Sequence, residues 1–114
     1  MAASTATLNR FLLSATLVQR SALRYTPAGL PALDLSFKHE STVSEDGQPR
    51  KVSMEMRAVA IGAVTQPLAG LALGQGGTFA GFITSTRNGR GLLFHITSVD
   101  VIDELPAAAS QAAD

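Results

Sequence analysis

The sequence predicts an all-β domain, a barrel of five strands. Three observations predict it. Apolar and polar residues alternate at a period of two in one segment after another, as strands with one buried face require. Clusters of Pro, Gly and Asn separate those segments. One long glycine-rich break falls between the third and fourth of them. The 114 residues bound the chain to one domain, and an apolar content of 46% suffices for a modest hydrophobic core.

The first segment, Asn9 to about Gln19, places Phe11, Leu13, Ala15 and Leu17 on one face. A turn region follows from Arg20 to Pro31, marked by Pro27-Ala28-Gly29. From Pro31 to about Glu40 the alternation is cleanest, with Leu33, Leu35 and Phe37 opposing Asp34, Ser36 and Lys38. Ser41 to Arg50 is polar and predicts a loop that turns at Glu45-Asp46-Gly47. In the third strand, Lys51 to Ile61, Val52, Met54 and Met56 oppose Lys51, Ser53, Glu55 and Arg57. The break from Gly62 to Gly77 leaves room for a helical turn around Leu68 to Leu73, which its glycines weaken. Thr78 to Thr86 is a strand whose interior Gly81 predicts a bulge or a tight bend. Arg87-Asn88-Gly89-Arg90-Gly91 is a hairpin turn, and Leu92 to about Asp103 is the last strand. The expected division is an N-terminal arm over 1–8, the domain over 9–104, and an Ala-rich tail over 105–114. Five strands with this break and this use of glycine describe a five-stranded Greek-key barrel, the OB-fold. Another small barrel or sandwich fits the alternation as well.

Several classes of function find no support. Without cysteine there is no disulfide, no Cys-bound zinc and no thiol nucleophile. His39 and His95 fall on different strands, no H-E-x-x-H or G-x-S-x-G is present, and no metal or other cofactor is expected. Gly74-Gln75-Gly76-Gly77 is too short for a dinucleotide loop and lacks the Lys-Ser/Thr of a phosphate loop. Asp100, Asp103 and Glu104 form an acidic strand end, for which solvation is the plainer account than acid–base work. Ala58 to Thr86 carries no charge and is long enough to span a bilayer, but Pro67 and six glycines argue for strand, loop and strand instead. Met1 to Leu8 has neither the basic start nor the apolar run of a signal peptide.

Nine Lys and Arg balance nine Asp and Glu, so any affinity for phosphate must come from local clustering. The clusters are Arg24-Tyr25 in the first loop, Arg50-Lys51 before strand three, and Arg87 and Arg90 at the last hairpin, with Lys38 and Arg57 on outward strand positions. An OB-fold binds single strands across strands two and three with the one–two and four–five loops as jaws, cations meeting phosphates and rings stacking on bases. For each cation the alternative is an ordinary solvated side chain. Phe11 and Phe37 belong to the core, Phe79, Phe82 and Phe94 are ambiguous, and Tyr25 is the one obvious exposed ring.

Asn9-Arg10-Phe11-Leu12-Leu13-Ser14-Ala15-Thr16 resembles the opening strand of the bacterial single-strand-binding protein superfamily. Gly81-Phe82-Ile83, the hairpin and Val99-Asp100-Val101-Ile102 resemble its close. Leu23-Arg24, Pro27-Ala28-Gly29-Leu30-Pro31, Lys38-His39-Glu40-Ser41 and His95 resemble, more particularly, the primosomal replication protein N (PriB) family. The resemblance runs from about Asn9 to Asp103. It implies a cytoplasmic homodimer of OB-folds, not an enzyme, that contacts single-stranded DNA and the PriA helicase and helps assemble the replication-restart primosome. No small-molecule substrate and no membrane partner are implied. Where better-known relatives carry an aromatic before strand three and a Trp upon it, this chain has Gln48 and Ser53; Glu40 and Tyr25 stand where cations are usual, and the last hairpin carries Arg87 and Arg90 in place of Lys, in a loop one residue shorter. These departures, with zero net charge and scarce exposed rings, keep a second expectation open: a protein-interaction module with little or no DNA binding of its own.

Overall fold

The computed structural model describes residues 7–101. Five long strands and one short one follow in order: β1 (Phe11–Arg20), β2 (Arg24–Tyr25), β3 (Pro31–Glu45), β4 (Gln48–Ile61), β5 (Gly76–Ser85) and β6 (Leu92–Val101). One helix among the described residues, α1 (Thr65–Ala69), joins β4 to β5. Neighbours in the sheet run β1-β5-β6-β4-β3-β2, and β1 pairs with β3 as well, which closes the five long strands into a barrel. β4 and β6 are the one parallel pair among the described residues, with Ala58 beside Phe94 and Ala60 beside Ile96. This is the OB-fold expected from the alternation.

β1 closes the barrel by changing partner along its length. Phe11 to Thr16 pairs with β5, and Thr16 to Arg20 pairs with β3. Where the two ladders part, His39 covers the gap. Its Nδ1 lies 2.6 Å from the Ser14 carbonyl and its Nε2 lies 2.8 Å from Ser41 Oγ. Donation to the carbonyl from Nδ1 makes Nε2 the acceptor of the Ser41 hydroxyl. At the start of β1 the side-chain amide of Asn9 extends the β5 ladder in place of backbone, donating to the Ile83 carbonyl at 2.7 Å and accepting from the Ile83 N–H at 3.1 Å.

The inward residues match the periodicity. Leu13, Ala15, Leu17, Leu33, Leu35, Phe37, Ala58, Ala60, Phe79, Phe94 and Ile96 form one core, with Met54, Met56, Phe11 and Val99 packed at its margins. Phe37 meets Phe79 at 4.4 Å between ring centroids, and Phe11 sets its edge against Phe94 at 4.8 Å. Leu68 of α1 and Leu71 just beyond it complete this core at one end of the barrel. Arg20 holds that end, its Nη1 donating to the carbonyls of Leu68 and Leu71, where a helix C-terminus favours a cation.

Three expectations are corrected. The polar stretch Ser41 to Arg50 is not a loop: β3 and β4 stay in register from Ala32↔Ile61 to Glu45↔Gln48 as one long ribbon. It turns on Asp46 and Gly47, both left-handed at φ 52° and 76°, the pattern a two-residue hairpin of native twist demands. Helix α1 begins at Thr65, three residues before the expected turn, and directly follows a turn in which the Thr65 N–H and Oγ1 both donate to the Gly62 carbonyl, at 3.1 and 2.7 Å. The turn region Arg20 to Pro31 contains the extra strand β2, held on β3 by Arg24↔Ala32 and Tyr25↔Pro31. The arm over 1–8 falls mostly outside the described residues; the tail over 105–114, and Asp103 and Glu104, lie wholly outside them.

Gly81 explains the ambiguous phenylalanines. The irregularity lies opposite it, on β6: Ala80 pairs with Ser98 but Gly81 pairs with Ile96, leaving Thr97 as the extra residue. That bulge lets Ile96 and Val99, three positions apart, both serve the core. It also drives the β6 backbone so close that a Cβ on Gly81 would overlap the His95 carbonyl. The backbone cannot yield without opening the barrel, so Gly81→Ala is expected to destabilise the fold by about 3 kcal/mol or more. Urea unfolding monitored by circular dichroism checks this; a variant within about 0.5 kcal/mol of the parent, as surface changes usually are, would contradict it.

Candidate nucleic-acid interface

The outward face of β2, β3 and β4 carries three of the residues singled out from sequence. Arg24 stands on β2, Lys38 on β3 and Arg57 on β4, all exposed. Their neighbours are set by register. Lys38 sits opposite Glu55, Arg57 opposite Ser36, and Asp34 opposite Val59. Arg24 grips Asp34 with two hydrogen bonds, Nε to Oδ2 at 2.8 Å and Nη2 to Oδ1 at 3.0 Å. Lys38 Nζ lies 3.7 Å from Glu40 Oε2. Three cations on this face therefore meet three carboxylates, Asp34, Glu40 and Glu55, and opposite charges set across strands cancel one another's field.

Asp34 shows the coupling most directly. The hydrogen bond from Arg24 holds its carboxyl below the ordinary 3.8, partial burial opposes this, and the positive charges of Arg24 and Arg57 add to the lowering. The same contact raises the Arg24 guanidinium. Arg24 is thus committed to a protein carboxylate, a partner that sequence spacing does not reveal. Tyr25, beside it, is 65% exposed, as a stacking ring would need to be.

The other basic residues lie beyond this face. Arg50 is on the ribbon and pairs with Glu45 at 3.1 Å, while Lys51 stands opposite Thr42 with no ion pair among the described residues. Because β4 and β6 run parallel, the hairpin before Leu92 falls beside the ribbon half of β4, and the loop before Pro31 falls at its other end. The face between them, from the Ala32–Ile61 row to the Lys38–Glu55 row, is about 20 Å long at the usual strand rise. Arg87 and Arg90 project from the hairpin and have no ion pair among the described residues. The connection runs from Thr86 to Gly91, one residue longer than the expected Arg87 to Gly91 turn. Positive φ falls on Gly89 and Gly91, and Asn88 acts instead through its side chain, accepting from Thr86 Oγ1 at 2.8 Å and from the Arg90 N–H at 2.9 Å. The structure thus joins Arg24, Lys38 and Arg57 on one face, turns Tyr25 to the other side of β2 opposite Pro31, sets Arg87 and Arg90 at the margin of that face, and places Arg50 and Lys51 on the ribbon.

Sequence spacing also misses one pair of rings. Phe82 and His95 face each other across β5 and β6 and stack at 4.7 Å with 12° between their planes. Both point outward, since Phe79, Ile83, Phe94 and Ile96 take the inward positions. The signal available in sequence was the spacing of three between Phe79 and Phe82, which in a regular strand forces opposite faces.

A closed five-stranded barrel with one parallel pair and a basic hairpin beside an outward β3–β4 face defines a protein of the single-strand-binding OB-fold class. A family model described as another single-strand binding protein family matches residues 9–98. Replication restart protein PriB of Bordetella pertussis is 44% identical over 80 residues, covering 70% of this chain and 75% of that protein. The solved structure of PriB from Ralstonia solanacearum is similar with a TM-score of 0.76 at 32% identity, over 83% of this chain and 98% of that one. The single-stranded DNA binding protein of Thermus aquaticus is similar with a TM-score of 0.67 at 27% identity, over 84% of this chain and 50% of that one. The chain belongs to the replication restart protein PriB family of the single-strand-binding superfamily.

The Arg24–Asp34 contact makes a pH prediction. A carboxyl lowered in the folded state contributes stability that is fully present above its unfolded pKa and is lost as pH falls through the folded value. An NMR titration of the Asp34 carboxyl carbon is expected to have its midpoint below 3.8, and Arg24→Ala to move it upward. A midpoint at or above the ordinary value in the parent would contradict the pairing.

Proposed function

We propose that this chain binds single-stranded DNA as a non-enzymatic component of replication restart, acting in the cytoplasm and contacting the PriA helicase within the primosome. Membership of the PriB family carries the reading. The outward β3–β4 face with the Arg87/Arg90 hairpin at its margin supports it. A backbone laid along that face would meet Arg24 at one end and the hairpin at the other. Lys51, Arg87 and Arg90 are the candidate phosphate contacts free of a protein carboxylate, while Arg24, Lys38, Arg50 and Arg57 contribute less because acids already stand beside them. The domain is taken to run over 9–104.

We also propose that it acts as a homodimer. Leu12, Val18 and Ile61 are exposed apolar residues off the core face, as association with a second copy would use. Val59, on the same outward side of β4 as Ile61, is covered already: it lies between Asp34 and His95 and is 5% exposed.

The balanced charge of the β3–β4 face favours a second reading, in which protein contact carries most of the function and DNA contact is slight. The two separate cleanly. Three free cations on single-stranded phosphate correspond to a slope of about −2 in log affinity against log salt. Arg87→Ala/Arg90→Ala is expected to weaken binding to dT oligomers in fluorescence anisotropy and to flatten that slope by about 1.4. Absence of binding at low salt, with a helicase still copurifying after nuclease treatment, would establish the second reading instead.

A further inference from the structure

We propose that Phe82 and His95 form a base-stacking subsite for single-stranded DNA on the outward face of β5 and β6, separate from the β3–β4 face; it rests on the DNA-binding reading above. Phe82 is 38% exposed on a sheet whose inward positions hold every other phenylalanine. An exposed ring of this size forgoes the burial that usually places it. Its position is not slack, because the ring lies parallel to the His95 imidazole and the bulge at Thr97 fixes the register between them. Two rings already parallel present a flat outer surface on which a base adds as the next layer, with little ordering cost.

His95 adds a second sign. Its imidazole is half-buried and stacked, yet its nitrogens make no hydrogen bond among the described residues. A ring nitrogen held at the rim of a stack is placed to meet a base edge or a phosphate oxygen.

Charge selects the occupant. The strand register forms a continuous outward row: Phe82 beside His95, His95 beside Val59, Val59 beside Asp34. That row leads from the β3–β4 face round to the stack. On its far side the β1–β5 register, held by Phe11↔Gly81 and by the Asn9 amide on Ile83, carries exposed Arg10 to the position opposite Phe82. Arg10 has no ion pair among the described residues. Arg57 lies one outward row from Val59. The single carboxylate of the row, Asp34, is held by Arg24. An aromatic stack between cations fits a chain of bases and phosphates, and a strand crossing β3 and β4 reaches it without changing face.

The chain has no Trp, which gives a clean probe. In the full-length protein, Phe82→Trp introduces one indole at the stack. Its emission is expected to fall on titration with a dT oligomer at low salt and to recover at high salt. Phe82→Leu keeps an apolar side chain at an exposed site but removes the ring. It is expected to bind about 5- to 150-fold more weakly with an unchanged salt slope, whereas Arg87→Ala/Arg90→Ala flattens the slope. Parental affinity in Phe82→Leu, with unchanged indole emission while the oligomer binds, overturns the subsite and leaves the DNA-binding reading intact. Failure of the parent protein to bind at all ends both. A shift of Phe82→Leu from dimer to monomer in sedimentation, at parental affinity per subunit, assigns the face to a second copy and overturns the subsite.

Discussion

The barrel depends on the close approach of Gly81 to the His95 carbonyl. Without a side chain at Gly81, β6 can bulge at Thr97, and the bulge resets which residues face inward. Phe94, Ile96 and Val99 then all reach the core, although no unbroken period of two includes the three. The same contact fixes the outward side, because Phe82 and His95 are the residues on either strand beside the approach. Core packing and the outward aromatic stack are therefore two consequences of one missing Cβ. Barrel closure adds to this constraint: β1 passes from β5 to β3 near Thr16, and His39 hydrogen-bonds the Ser14 carbonyl beside that passage.

The surface chemistry follows a different logic. Cations on the β3–β4 face are held beside carboxylates by strand register, so the face is polar and ordered but nearly neutral. Such a surface orients a ligand more than it attracts one. Free positive charge lies at the margins, on Lys51, Arg87, Arg90 and Arg10. Affinity for single-stranded DNA would then arise from a few peripheral phosphate contacts and from stacking, and would depend only modestly on salt. This division also leaves room for a protein partner to hold much of the DNA, since a neutral polar face can be shared with another surface at small electrostatic cost.

The strands and the core were legible in the sequence because alternation is a direct record of which side of a sheet is dry. Leu33, Leu35 and Phe37 stand buried where the period places them. The ribbon from Ser41 to Arg50 was not legible: a two-stranded arm with both faces in water has no apolar alternation to betray it, and its Asp46-Gly47 turn was visible only as a turn. Basic residues were legible by type but not by state. Arg24 lies ten positions from Asp34, a distance that only the β2–β3 pairing closes. The Phe82–His95 stack was hidden for the same reason, since twelve residues, a hairpin among them, separate rings that the fold brings face to face.

The central claim is that this barrel holds single-stranded DNA along its outward face from margins that carry the free charge. Backbone amide mapping by NMR, with a dT oligomer added at low salt to isotope-labelled protein, tests it most directly. The account predicts perturbations concentrated at the Arg87–Gly91 hairpin, at Lys51 and along the outward row through His95 and Phe82, with the Asp46-Gly47 ribbon tip and α1 unmoved. Perturbations confined to α1 or the ribbon tip, or none at all with oligomer in excess, would contradict it.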